Sequence, residues 1–336
     1  MKNTVILIII LIFSVTIFSK GIIIGEDLFI LKTFRDGKNE DILNIVNNID
    51  EHFDEVIIHM GRANVSERGN FFFYRTSKEN LKYFSDLLED RGIKLFLWFF
   101  DSFGSEDFLS LYNDRFSLIT SNKKFIDDLG LNYAGVVVDF EWINLGEGEN
   151  TEKYMTFLKD IKTVFTGKEL LAFTNTIDSE IENTKRGYDL KKMAEVIDGM
   201  IPMLYVVDFG LYYENDEIKM NFSDDRIENL LNFYSNYEKI YPAFSVTSGL
   251  LLVRNGKVFY IKDISHASIP DGLEIVGKQE SQYHNIFKLN VKKDIEITRN
   301  DGVLETIKKG EELFILEVKE LIYEISDYIW NYTFYF

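Results

Sequence analysis

Strand-like apolar segments alternate with helix-periodic segments seven times between residues 28 and 246. The predicted strands are Leu28–Phe34, Glu55–Met60, Lys94–Phe100, Tyr133–Trp142, Leu170–Thr174, Ile197–Val207 and Ile240–Val246. Such alternation is typical of parallel strands joined by right-handed crossovers. Seven or more units in one run favour a closed barrel over an open sheet, and no G-x-G-x-x-G motif follows the first strand. The sequence therefore predicts an α/β fold, a (β/α)8 TIM barrel.

The alternation changes after Gly249. Residues 250–261 resemble a hairpin that turns at Asn255-Gly256, and short alternating segments follow at 286–291, 295–298 and 303–307. We expect either a small β-rich insertion before the eighth strand or an appended β module. Residues 313–328 fit both the strand and the helix period, so they leave the eighth strand unplaced. The predicted division is a leader at 1–20, seven βα units at 21–249, and the module with barrel closure at 250–336.

The leader is predicted from an apolar stretch, Val5–Phe18, that follows Lys2. Fourteen residues are few for a spanning helix and typical of a signal-peptide core. Ser19 is a passable residue before a cleavage point, but Ile17 fits poorly, so a retained membrane anchor is the alternative. In both cases we expect an extracytoplasmic protein, secreted or anchored.

Composition excludes several classes of function. The net charge of −18 argues against nucleic acid or an anionic membrane surface as partner, but not against a neutral sugar. Without cysteine there is no disulfide, thiolate nucleophile or cysteine metal site. The four histidines lack ligand-like spacing, so neither a metal nor another cofactor is expected. We expect a monomer.

Two acids close the predicted fourth strand. Val136, Val137 and Val138 form its buried core, and Asp139 and Glu141 follow on one side of it. Crowding of two carboxylates is expected to keep one of them protonated near neutral pH, as a general acid requires. The pattern alone fits equally well a strand end whose charges emerge into water.

These residues resemble the fourth-strand motif D-G-x-D-x-D-x-E of glycoside hydrolase family 18, the chitinase-like barrels. In this register Gly135, Asp139 and Glu141 match, whereas Ala134 and Val137 replace the first two acids. The sixth-strand motif M-x-Y-D is similar to Met203-Leu204-Tyr205, followed by Val206 and then, two residues later, by Asp208. The resemblance spans about residues 28–246, and the subgroup that trims peptidoglycan and spore cortex is the most similar.

The resemblance implies hydrolysis of glycans that contain N-acetylglucosamine, with retention of configuration. Glu141 would be the general acid and base, and Asp139 and Tyr205 would hold the substrate's acetamido group, whose carbonyl attacks the anomeric carbon. Family 18 is an exception to the two-carboxylate scheme for this reason. Further substrate contacts are expected from residues at strand ends: Trp98, Phe100, Asp101, Trp142, Met203 and Asp208.

The replacement of the middle acid by Val137 leaves other functions open. One is a barrel that binds sugar without cleaving it, although binding-only relatives typically lose the acid at Glu141. Another is a two-carboxylate glycosidase on a different glycan, in which Asp101 or Asp208 would be the partner of Glu141.

Overall fold

The structure is a computed structural model that describes the backbone of most of the chain. The described residues are 21–24, 33–49, 53–60, 77–102, 108–109, 112–140, 149–177, 179, 181, 187–204, 211–220, 223–245, 248–299 and 302–330, with the side chains at 99–102, 149, 220 and 330 left out. The strands are β1 (Gly21–Ile24), β2 (Glu55–His59), β3 (Lys94–Ser102), β4 (Gly135–Phe140), β5 (Glu169–Thr174), β6 (Gly199–Leu204), β7 (Leu211–Glu214), β8 (Glu217–Met220), β9 (Ala243–Ser245), β10 (Gly249–Arg254), β11 (Lys257–Lys262), β12 (Leu273–Glu280), β13 (His284–Val291), β14 (Ile295–Thr298), β15 (Leu304–Ile307), β16 (Glu312–Val318) and β17 (Tyr328–Trp330). The helices are α1 (Asn39–Asn47), α2 (Lys78–Asp90), α3 (Arg115–Leu129), α4 (Glu149–Val164), α5 (Leu190–Val196), α6 (Asp224–Tyr234) and α7 (Glu320–Ile325).

Eight parallel strands close a barrel, as the alternation predicted. Their order around it is β1, β2, β3, β4, β5, β6, β9 and β17, and β17 pairs again with β1. Inward-facing side chains form an apolar interior cluster of Ile23, Ile57, Phe96, Trp98, Val137, Leu171, Phe173, Ile201, Met203, Ala243 and Tyr328. The residues between them pack outward against the helices. Burial on both faces explains why the strands are nearly continuous apolar runs.

The glycine of the fourth-strand motif has a packing role. A Cβ atom on Gly135 would lie 2.4 Å from the carbonyl oxygen of Glu169 and 2.8 Å from the ring of Phe96. Only glycine allows β4 to start this close to β5 and to the barrel interior.

Helix boundaries follow local capping chemistry. Ser77 accepts a hydrogen bond from the amide of Asn80 at the start of α2, and Gly92 follows that helix with φ of 73°. Ser223 caps α6 in the same way, through the amide of Arg226.

The β-rich region is inserted in the chain between the seventh and eighth barrel strands. Its five-stranded antiparallel sheet has the order β11-β10-β16-β13-β12. One face packs against the β14–β15 hairpin and the other against the β7–β8 hairpin. The predicted turn at Asn255-Gly256 joins β10 to β11, and both residues have positive φ, 51° and 71°.

Two predictions about strand bounds were wrong, and one segment that the sequence left unplaced is now assigned. The first strand is β1 and not 28–34, because Thr33 and Phe34 belong to a helical turn at 33–36 and residues 28–32 lie outside the described chain. β3 continues through Asp101 and Ser102, beyond its predicted end at Phe100. Residues 313–328 contain most of β16, all of α7 and the start of β17, which is the eighth strand. The hairpin β7–β8 and strand β12 were not predicted.

Among the described residues, no helix combines the length and apolar character needed to cross a bilayer. The predicted leader lies outside those residues.

Candidate active site

Asp139 lies in the interior of the barrel at the carboxyl end of β4. Val137, two residues earlier, belongs to the interior cluster, whereas Val136, Val138 and Phe140 pack outward among the residues under the helices. The two-residue period of a strand therefore directs Asp139 inward. Its exposure is 1%, so its carboxyl group is nearly removed from solvent. A carboxylate so placed is costly unless it is used or well stabilised.

The end of β4 is held from outside the barrel. Phe140 packs edge-to-face against Phe108, Tyr154 and Phe157, with ring centroids 5.2, 5.7 and 5.3 Å away. The hydroxyl of Tyr188 donates a hydrogen bond to the carbonyl oxygen of Phe140 over 2.6 Å. These contacts fix the residue that separates Asp139 from Glu141 in the chain.

Asp139 belongs to a row of buried polar residues at the carboxyl ends of the strands. His59 ends β2 and Ser245 ends β9, and both are buried. Each follows a member of the interior cluster by two residues, so each faces inward like Asp139. The ring of His59 lies 4.3 Å from that of Trp98, which in turn lies 4.9 Å from Phe173. The row therefore rests on an aromatic layer, at the end of the barrel where active sites lie.

Comparison with known proteins gives the fold of this site. No family model matches the sequence, and no curated protein matches it either. Solved structures do match: a spore cortex-lytic enzyme of Bacillus cereus (TM-score 0.62, 12% identity, 93% of this chain and 70% of that one) and a chitinase of Chromobacterium violaceum (0.58, 12%, 93% of each). A glycoside hydrolase family 18 N-acetylglucosaminidase of Paenibacillus barengoltzii matches with a TM-score of 0.57 at 12% identity, over 93% and 94% of the two chains.

The structure resembles the family 18 barrels. The resemblance that the motifs predicted is therefore confirmed for the fold. In this barrel, Gly135 and Asp139 occupy the motif positions on β4, and Met203 occupies its motif position on β6.

Several predicted site residues lie in or beside the interior cluster of the barrel. Trp98 and Met203 belong to the interior cluster, and the carbonyl oxygen of Met203 accepts a hydrogen bond from Thr176 Oγ1 over 2.6 Å. The backbone of Asp101 on β3 is in register with Asp139, after an irregularity in pairing between Trp98 and Phe100. Bulges of this kind are common beside active sites. Phe100 is in register with Val138.

Four predicted residues lie outside the described part of the chain: Glu141, Trp142, Tyr205 and Asp208. Glu141 is the residue after β4 and Tyr205 is the residue after β6. Their roles remain predictions that the resemblance carries.

The position of the missing family acid is apolar. Val137 is fully buried in the interior cluster, and it is in register with Trp98 on β3 and Leu171 on β5. No carboxylate can therefore share a proton with Asp139 from one pleat below it. The nearest acid in the strand register is Asp101, on the neighbouring strand.

The field of Asp139 reaches the aromatic cluster behind β4. The pKa of the Tyr154 phenol is raised far above its usual range, first by burial and second by the charge of Asp139. Among the described residues, the Tyr154 hydroxyl has no hydrogen-bond partner. Nor does that part of the chain contain a group of three or more histidine and acidic side chains able to hold a metal ion.

Two inward-facing polar residues are not among the site residues predicted from the sequence. They are His59 and Ser245. Both lie one residue before the end of a predicted strand and two residues after an inward apolar residue, and that spacing is the signal that could have identified them. Asn175 follows β5, and within the described chain its Oδ1 is buried without a hydrogen-bond partner.

Proposed function

We propose that the protein is a glycoside hydrolase that cleaves glycans containing N-acetylglucosamine. The observation that carries this proposal is the inward-facing, buried carboxyl group of Asp139 at the carboxyl end of β4. The similarity to structures of chitinases and a spore cortex-lytic enzyme supports it. The substrate is a glycan, and the site would need no metal or other cofactor.

In the proposed mechanism, Asp139 accepts a hydrogen bond from the N–H of the substrate's 2-acetamido group. Tyr205 would donate to the carbonyl oxygen of the same group. The two contacts orient that carbonyl oxygen toward the anomeric carbon, so the substrate supplies its own nucleophile. A carboxylate in a nearly water-free barrel interior stabilises the positive charge that develops on the acetamido nitrogen.

Glu141 would carry the proton transfers. Its carboxylic acid protonates the glycosidic oxygen while the carbon–oxygen bond to the leaving sugar breaks and the acetamido oxygen bonds to the anomeric carbon. The resulting carboxylate then takes a proton from water, and the water oxygen displaces the acetamido oxygen. Two displacements at one carbon retain its configuration.

Two alternatives have specific observations in their favour. Val137 replaces the middle acid of the family motif and lies in an apolar environment, which favours a barrel that binds sugar without hydrolysis. The register of Asp101 with Asp139 brings a further acid to the strand next to β4, which favours a two-carboxylate glycosidase.

The proposal includes an extracytoplasmic location, either secreted or anchored through residues 5–18. The apolar character of that segment supports it.

The decisive experiment measures release of oligosaccharide from chitotetraose and from spore-cortex fragments by the wild type, Glu141→Gln and Asp139→Asn. We expect each variant to lose activity by about 10²–10⁴-fold with an unchanged melting temperature. Glu152→Gln is the matched control, because Glu152 is an exposed acid on α4 that contacts Lys192. A thiazoline inhibitor that mimics the cyclised acetamido group should inhibit the wild type.

Each alternative has its own outcome. Glycan binding that persists in Glu141→Gln, without product from any variant or the wild type, would identify a binding-only barrel. Hydrolysis of glycans that lack a 2-acetamido group would identify the two-carboxylate mechanism and exclude the substrate-assisted one.

A further inference from the structure

A cavity of about 470 Å³ lies between the inserted sheet and the outer side of the barrel. Its walls come from the β7–β8 hairpin, the start of α6, and the adjoining ends of β12 and β13. None of its lining residues belongs to a barrel strand or to the polar row around Asp139. The volume is in the range of small-molecule sites.

A buried histidine and two buried isoleucines line the cavity. His284, Ile218 and Ile286 line it and are all buried, His284 with 1% exposure. Within the described chain, neither ring nitrogen of His284 has a hydrogen-bond partner. Burial lowers the pKa of His284 to about 4, although the charge of Asp224 opposes that shift. At neutral pH the ring therefore offers one donor and one acceptor to whatever enters the cavity.

Two further polar atoms in the wall lack partners in the described part of the chain. They are Oδ1 of Asp224 and Oε1 of Gln279. The other groups of both side chains are engaged: Asp224 Oδ2 accepts from the amide of Gln282 over 2.5 Å, and Gln279 donates to Glu217. Buried polar atoms are nearly always paired, so a cluster of them around one cavity indicates a ligand that supplies the missing hydrogen bonds.

The charge of the lining disfavours an anionic ligand. Among the described lining residues, Asp224, Asp225 and Glu280 are acidic, and the one lysine, Lys219, forms an ion pair with Glu217 outside the cavity. A metal ion is disfavoured as well, because the described residues contain no group of three metal-ligating side chains. The lining therefore favours a neutral ligand whose groups both donate and accept hydrogen bonds.

The rim adds an aromatic surface. Tyr212 on β7 lines the cavity and is 45% exposed, so its ring is accessible to a ligand. Aromatic rings and isoleucines contact the C–H face of a sugar, while its hydroxyl groups both donate and accept.

We propose that this cavity binds a neutral saccharide unit, with His284, Gln279 and Asp224 as hydrogen-bonding residues and Tyr212 as the stacking surface. The site is separate from the barrel mouth, and the inference does not depend on catalysis there. A second hold on a glycan chain would raise the overall affinity without any change in the catalytic cleft.

The test uses the histidine rings as local reporters in the full chain. The protein has four histidines, His52, His59, His266 and His284, which selective ¹⁵N-histidine labelling makes visible by NMR. Chitotetraose and cellotetraose are titrated separately, and His284→Leu assigns the His284 signal by its disappearance. We expect the His284 ring signals to shift on saturable binding, and the dissociation constant from that shift to rise about tenfold in Gln279→Leu and severalfold in Tyr212→Ala.

Phe259→Ala is the matched control for Tyr212→Ala, because Phe259 is 44% exposed on β11 of the same inserted sheet and is not part of the cavity lining. It should leave the dissociation constant unchanged. Shifts of His59, beside Trp98, report the barrel mouth independently, so failure of the proposed hydrolase does not imitate failure at this site. An unmoved His284 signal at saturating concentrations of both sugars overturns the inference, as does a shift that persists equally in Tyr212→Ala and Gln279→Leu.

Discussion

The phenol of Tyr188 donates its hydrogen bond to the carbonyl oxygen of Phe140, the residue between Asp139 and Glu141. Tyr188 lies just before α5, on the outer side of the sheet, and is buried with the rings around Phe140. The end of the strand that carries the inward-facing Asp139 is thus held from its opposite face. A side chain that cannot reach a substrate in the barrel interior can in this way position the groups that do.

Removal of that hydrogen bond should impair activity more than folding. Tyr188→Phe keeps the ring packing and loses one hydrogen bond, so we expect about 1 kcal/mol less stability and a severalfold lower kcat at nearly constant KM. Tyr154→Phe is the matched control in the same ring cluster, since the Tyr154 hydroxyl has no hydrogen-bond partner among the described residues. Equal kcat values in the two variants, measured on chitotetraose beside their melting temperatures, would exclude a positioning role for Tyr188.

Restoration of the family acid should change how the site titrates. Val137→Asp places a carboxyl group one pleat below Asp139 in an apolar layer, whereas Val137→Asn places a group of the same shape that cannot ionise. Both should cost about 1–3 kcal/mol in the free energy of unfolding. Only the aspartate should add a coupled proton step to the pH profile of kcat. Profiles that superimpose for the two variants would show that residue 137 does not exchange protons with Asp139.

Protonation of His284 should destabilise the fold at acidic pH. Its pKa is about 4 in the folded protein, below the ordinary 6.5, so the unfolded chain binds the proton more tightly. Above pH 6.5 the protonation of His284 should not affect the free energy of unfolding. As the pH decreases from 6.5 toward 4, that free energy should fall, and below pH 4 the total loss should reach about 3 kcal/mol. Urea unfolding of the wild type and His284→Leu across this interval measures the effect. We expect the difference between the two proteins to grow as the solution becomes more acidic, and a constant difference would contradict the assignment.

The opposite end of the barrel contains a buried acid that stabilises rather than reacts. Tyr328, the first residue of β17, donates to the buried carboxylate of Glu55, which also contacts Lys94 at 3.4 Å. Tyr328→Phe should cost about 2 kcal/mol in urea unfolding, because a buried carboxylate loses a donor. The kcat should not change, since this pair lies at the amino ends of the strands. A loss of kcat in the folded variant would contradict this separation.

Strand and helix periodicity was sufficient to predict the barrel because its strands are buried on both faces. The two-residue period of β4 predicted that Asp139 shares a side with Val137, and the structure shows that this side faces the barrel interior. The short elements could not be predicted in this way. β1 has four residues and is apolar like the predicted leader before it, and β17 has three residues. The β7–β8 hairpin turns at Asn215-Asp216, both with positive φ, without the glycine that usually marks such a turn.

Only those site residues could be predicted whose neighbours in the sequence already indicate their position. Asp139 could be inferred from its own strand, whereas His59 and Ser245 join it only through barrel closure. The cavity beside the inserted sheet had no signal in the sequence, because His284, Gln279 and Asp224 come from separate elements that meet through the insertion. Tertiary contacts of this kind have no local period to detect.

The pairing of Gly21 with Tyr328 has a consequence for biosynthesis. A ribosome releases residues in order, so seven strands and the whole inserted sheet emerge before the segment that seals the ring. Until then β1 and β9 both expose unpaired edges, which invite association with other nascent chains. A premature stop only a few codons before residue 328 would thus leave an open seven-stranded sheet with two exposed edges rather than a slightly shorter closed barrel.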